Sequence, residues 1–93
     1  MSVLEEAAAW AAETFPEARL SHHRMKAMEE WGEWQRSLGT IKSLEEAADI
    51  VIVLAAWAHS AGWNLEQAVV WKLEQNRQRT WEKRPDGTYR HVS

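Results

Sequence analysis

SLEEAADIVIVLAAWAHSAG, residues 43–62, decides the fold. Ser43-Leu44-Glu45-Glu46 has the spacing of a capping box, which predicts Ser43 as a helix N-cap with Glu46 closing the box. Gly62 is placed to stop the same helix near Ser60. From Ala47 to Ala58 the side chains are apolar on nearly every face except at Asp49. A helix that is apolar all round is expected to be buried all round. In 93 residues the remaining helices can hardly enclose it, so a homo-oligomer, dimer or tetramer, is expected to cover the rest. Asp49 then stands at the edge of the apolar run as a buried carboxylate, which costs several kcal/mol unless a cation or a full set of hydrogen bonds meets it.

Three further helices flank this one. Ser2-Val3-Leu4-Glu5 is another capping box and opens a helix over about residues 3 to 14, ended by Phe15-Pro16. Ser21 is placed to cap a helix from about His22 to Ser37, with Gly39 as its stop. Asn64-Leu65-Glu66-Gln67 starts a fourth helix through about Trp81. Short connections make an all-α, four-helix bundle-like single domain over residues 1–93. Residues 83–93 form a C-terminal arm whose Asp86-Gly87 has turn chemistry and predicts an extended segment or hairpin.

Composition narrows the function. There is no cysteine, so neither disulfides nor thiolate metal sites arise, and a cytoplasmic setting is expected. A net charge of −3 provides no basic field, which argues against polymeric nucleic acid as a partner. The apolar run is too short to cross a bilayer, so no membrane partner is expected. The seven tryptophans are expected mostly in the core or in a subunit interface, with stacking on a base as the minor use.

The acidic residues carry the chemistry. Glu29, Glu30 and Glu33 share a face of the second helix, and Glu46 and Asp49 form an i, i+3 pair on the third. If the two helices pack antiparallel, Glu30, Glu33, Glu46 and Asp49 converge across the seam. Four carboxylates in one place repel, so a positive partner is required. An all-oxygen ligand set suits magnesium or manganese. Zinc and di-iron centres are disfavoured, because the four histidines lie in neither H-E-x-x-H nor Glu-x-x-His spacing. Lys72, Asn76 and Arg79 lie at i, i+4 and i+7 on the fourth helix, a stripe suited to phosphate oxygens, while Arg77 points elsewhere. Each of these residues alone has an ordinary reading as a solvated charge or a helix-terminus partner. Together they describe a metal-bound polyphosphate pocket.

In this order, Glu29-Glu30-Trp31-Gly32-Glu33, then twelve residues, then Glu46-Ala47-Ala48-Asp49, and then Lys72, Asn76 and Arg79, the chain resembles the MazG-like nucleoside triphosphate pyrophosphohydrolases. The matching motifs are E-E-x-x-E, E-x-x-D and K-x-x-x-N-x-x-R, and the resemblance runs over about residues 22 to 82. It implies hydrolysis of a (deoxy)nucleoside triphosphate to the monophosphate and pyrophosphate, by water attack on the α-phosphorus. It also implies two or more magnesium or manganese ions on Glu30, Glu33, Glu46 and Asp49. Glu29 would hold a further metal or orient the water, and Lys72, Asn76 and Arg79 would bind phosphates. The compact phage-type relatives imply a purine preference, dGTP or GTP. Trp10, Trp34 and the region of His22 and His23 are candidates for the base pocket. The competing readings are a non-catalytic oligomeric helical module and a nucleotide sensor.

Overall fold

The computed structural model describes residues 2–93. Four helices follow in order, α1 (Val3–Thr14), α2 (Leu20–Arg36), α3 (Lys42–Ser60) and α4 (Leu65–Arg77), and a hairpin of β1 (Trp81–Lys83) and β2 (Tyr89–His91) closes the chain. The helical domain thus has the expected all-α architecture. Helix α3 is central, touching α1, α2 and α4, whereas α2 touches neither α1 nor α4.

The first helix begins and ends as its sequence dictates. Ser2 Oγ accepts the Glu5 backbone N–H at 3.2 Å, and Glu5 Oε1 accepts from the Ser2 N–H at 3.3 Å. Two other starts differ from expectation. Helix α2 begins two residues early, because His22 Nδ1 accepts the Arg19 N–H at 3.0 Å and Ser21 falls inside the first turn. Helix α3 begins at Lys42, and the Ser43 hydroxyl donates back to the Thr40 carbonyl at 2.7 Å. With Ser43 turned that way no capping box forms, and Glu46 is left free for another task.

The later boundaries mix agreement and correction. Gly39 and Gly62 follow the ends of α2 and α3 with φ of +87° and +80°, a region where any other residue is strained. Asn64 caps α4 through the Gln67 N–H. Helix α4 stops at Arg77, short of the expected Trp81, whose indole N–H instead donates to the Asn76 carbonyl at 3.0 Å. The same carbonyl also accepts the Arg79 N–H at 3.3 Å, so the indole is a further donor at the helix end. Trp81 pairs with His91 across the hairpin, and Gly87 turns it at φ +91°.

The core is small. Its buried apolar residues, among those described, are Ala8 and Ala11 of α1 and Ala55, Ala56 and Ala58 of α3, side chains short enough for the two helices to lie close. No large side chain is fully buried among the described residues. The tryptophans are therefore not core within one chain: Trp10, Trp31, Trp63, Trp71 and Trp81 are exposed, and Trp34 and Trp57 half-buried. Helix α3 is likewise open along Leu44, Val51 and Leu54 rather than buried all round. The accessible surface is 7251 Å², against about 5,500 Å² for a folded monomer of this mass. The radius of gyration is 15.6 Å, against about 12 Å for a compact chain of this length. The excess comes from splayed apolar faces.

Candidate active site

Antiparallel packing of α2 on α3 brings three carboxylates together. Ligand-capable oxygens of Glu30, Glu33 and Glu46 lie within 4.8 Å of one another. Glu30 and Glu46 are each only 6 % exposed. Each has one oxygen paired to a lysine one turn earlier on its own helix: Lys26 Nζ to Glu30 Oε1 at 3.3 Å, and Lys42 Nζ to Glu46 Oε1 at 3.3 Å. The second oxygens, Glu30 Oε2 and Glu46 Oε2, are buried without a hydrogen-bond partner. A buried polar atom left unsatisfied is costly, and two beside a third carboxylate call for a cation.

The electrostatics agree. The Glu33 carboxyl is held above its ordinary value of 4.5, first by the charge of Glu30, then by partial desolvation and by Glu46. Lys26 and Lys42 are both pushed above 10.5, Lys26 chiefly by its hydrogen bond to Glu30 and Lys42 chiefly by its bond to Glu46. Three carboxylates, two of them with an unpaired oxygen, fit a hard divalent cation with oxygen ligands.

Asp49 stands differently from expectation. It is exposed in the chain and lies outside the three-carboxylate group, so it needs no buried counter-charge. The reason is the missing contact between α1 and α2. A cleft of about 350 Å³ opens between them, with α3 as its floor, lined there by exposed Asp49, half-buried Ile52 and Val53, and buried Ala56. Trp10 and Phe15 line the α1 side, packed edge to face at 5.5 Å. His22, His23, Lys26 and Glu30 line the α2 side. The cleft is mostly apolar, and Glu30 belongs both to it and to the acid cluster. Burial, and then the neighbouring His22, lower the pKa of His23, favouring a neutral imidazole.

The other expected site residues are spread more widely. Glu29 is exposed and pairs with Lys26 at 3.4 Å. Trp34 packs against Trp31 at 5.0 Å and does not line the cleft with Trp10. Lys72 donates to Gln75 and Arg79 to Asn76, all on or beside α4, which has no contact with α2. The basic stripe is therefore not brought to the acid cluster of its own chain. Arg77 pairs with Glu74 on the surface, as expected. Sequence reasoning missed Lys26, Lys42 and Phe15. The i, i+4 spacing of Lys26 to Glu30 and of Lys42 to Glu46 was the available signal for the two lysines.

No protein-family model matches the sequence. The chain is 35% identical over 85 residues, 89% of its length, to a dATP/dGTP diphosphohydrolase of Salmonella phage PMBT28, and spans only 28% of that longer relative. A solved structure of similar size settles the family. It is a cyanophage S-2L MazG-like pyrophosphohydrolase bound to dGDP and three catalytic Mn2+ ions per active site, matched with a TM-score of 0.71 and 30% identity over 97% of this chain and 93% of that one. The chain belongs to the MazG-like pyrophosphohydrolases. Within a MazG-like fold, the Glu30–Glu33–Glu46 cluster is the acidic centre that the helix pairing of α2 and α3 builds.

Proposed function

We propose that this MazG-like chain is a cytoplasmic nucleoside triphosphate pyrophosphohydrolase that cleaves a purine (deoxy)nucleoside triphosphate to the monophosphate and pyrophosphate. The observation that carries the proposal is the pair of buried glutamates, each with an unpartnered oxygen, beside a third carboxylate at the foot of an apolar cleft. The relatives support the substrate: one is named for dATP and dGTP, and the other holds dGDP with Mn2+.

In this reading Glu30, Glu33 and Glu46 hold the divalent ions, with Asp49 joining from the cleft side. Bound magnesium or manganese neutralises triphosphate charge, lowers the pKa of its water and stabilises charge at the reacting phosphorus. Water adds to the α-phosphorus, the bond to the bridging oxygen breaks, and that oxygen departs with pyrophosphate. Glu29, exposed one residue before a buried ligand, orients the attacking water and takes its proton, or holds a further ion. The cleft lined by Trp10 and Phe15 takes the base. His22 Nδ1 is occupied by the Arg19 N–H, so a neutral His22 carries its proton on Nε2 as a donor for a base acceptor.

Helix α4 makes no contact with the α2 of its own chain, which favours Lys72, Asn76 and Arg79 reaching the phosphates of a neighbouring subunit. The exposed faces of α3 (Leu44, Val51) and α4 (Val69, Val70, Trp71) favour a homodimer or homotetramer. Among the described residues no helix is long and apolar enough to cross a membrane. The test is turnover of each (d)NTP with magnesium or manganese, with product identification by ion-pair chromatography. Release of monophosphate and pyrophosphate, fastest for a purine, is expected; no turnover of any nucleotide with either metal refutes the proposal.

A further inference from the structure

The acid cluster opens on two sides of different character. One is the apolar cleft reached past Glu30 and Asp49. The other is an open groove of about 530 Å³ at the α2–α3 turn, lined by Glu33, Arg36, Ser37, Thr40, Lys42 and Glu46. Its two cations flank two of the cluster's three carboxylates. Lys42 pairs with Glu46 and, at 4.0 Å, with Glu45. Arg36 is exposed and makes no ion pair among the described residues.

Arg36 is also placed by its own helix. Its Nη1 lies 3.2 Å from where a Cβ of Gly32 would stand, so the guanidinium folds back one turn along α2 over a residue without a side chain. A glycine inside a helix costs about 0.5–1 kcal/mol relative to alanine. Here it leaves room for the guanidinium over Gly32, on the groove that Glu33 also lines. The hydroxyls of the groove contribute no free donors, because Ser37 Oγ donates to the Trp34 carbonyl and Thr40 Oγ1 to the Ser37 carbonyl. An anion in this groove would rest on Arg36, Lys42 and the metal.

We infer that Arg36 and Lys42 form the subsite for the β- and γ-phosphates, so that pyrophosphate leaves through the α2–α3 groove while the nucleoside stays in the apolar cleft. This rests on the reading of the acid cluster as a metal-triphosphate centre. It gives the substrate one direction through the site: base over α3 between α1 and α2, α-phosphate at the carboxylates, pyrophosphate toward the turn. A guanidinium with no carboxylate partner is free to offer a bidentate face to phosphate oxygens. Lys42, at the first residue of α3, swings from Glu46 to phosphate once metal takes the glutamate.

The test is calorimetric titration of Mn2+-loaded protein with inorganic pyrophosphate and, separately, with dGMP. Arg36→Gln and Lys42→Gln are each expected to weaken pyrophosphate binding about tenfold or more, the loss of a charge-assisted contact, while dGMP affinity changes less than about threefold. Arg36→Lys should recover part of the loss. Free Mn2+, read from its paramagnetic resonance signal, reports metal affinity independently, and Arg36→Gln should leave it unchanged. Wild-type pyrophosphate affinity in Arg36→Gln, or an equal loss for dGMP or for Mn2+, overturns the assignment. Failure of the main proposal reads out elsewhere, as absent turnover in the wild-type protein, and leaves the pyrophosphate titration interpretable.

Discussion

Replacing Glu46 by Gln keeps the shape of a buried side chain and removes one of three clustered charges. In the metal-free protein, Glu30 and Glu46 each bury an unpartnered oxygen, at about 1–3 kcal/mol apiece, or about 2–6 kcal/mol for the pair. A cation that binds both recovers much of this. By linkage, an ion at about 100 times its Kd stabilises the fold by about 2.7 kcal/mol. For a domain of this length 1 kcal/mol moves Tm by about 4–8 °C, so wild-type protein should melt about 11–22 °C higher in saturating Mn2+ than in chelator. Glu46→Gln should reduce that shift to below about 3 °C, because the ion loses a charged ligand. Without metal the variant should melt no lower than wild type. Its repulsion with Glu33 is gone, and the lost pair with Lys42, whose side chain is 67 % exposed, is worth at most about 1 kcal/mol. Circular dichroism melts with and without Mn2+ measure both arms. A full Mn2+ shift in Glu46→Gln, or none in wild type, refutes the assignment of Glu46 as a ligand.

Three other perturbations test separate parts of the structure. The raised pKa of Glu33 means that the native chain holds its proton more tightly than the unfolded one, so this contribution is present below 4.5 and is lost as pH rises through the folded value. Metal-free Tm should therefore fall across that acidic window in wild type and fall less in Glu33→Gln, as a pH series of melts will show. Leu44→Glu with Val51→Glu, on the open face of α3, should lower the particle mass in light scattering if that face joins subunits. Gly32→Ala should raise metal-free stability by about 0.5–1 kcal/mol in urea unfolding, because the Cβ meets only the movable end of Arg36.

Much of the fold was legible because the local signals were independent of tertiary contacts. Ser2 and Glu5, Asn64, Gly39 and Gly62 act through their own backbone neighbours, and each stands where its chemistry requires. The errors have the opposite origin. Ser43 and Glu46 have capping-box spacing, yet the Thr40 carbonyl takes the Ser43 hydroxyl and the helix starts two residues sooner. The end of α4 was overestimated because Trp81 continues the apolar spacing, while its indole N–H serves the Asn76 carbonyl from a strand. The convergence of Glu30, Glu33 and Glu46 followed from i, i+3 geometry and one assumption, that α2 and α3 are antiparallel. The burial expected of Asp49 fails for want of a fact no pattern carries: α1 and α2 do not pack together, so α3 is uncovered at that point.

The same geometry explains how such a cluster folds before any metal arrives. Three carboxylates within 4.8 Å would drive α2 and α3 apart if all were bare. The two that are buried each lie one turn after a lysine on the same helix, so the compensating charge is supplied locally and does not depend on the partner helix. Glu33, with no such lysine, is the group whose pKa rises. The lysines are more than half exposed, and an exposed ammonium holds a carboxylate weakly. They are therefore strong enough to let the site assemble and weak enough to be displaced. This separates the chain from small metalloproteins in which metal binding is itself the folding energy: here chelation should empty the site and lower Tm without unfolding the bundle at room temperature.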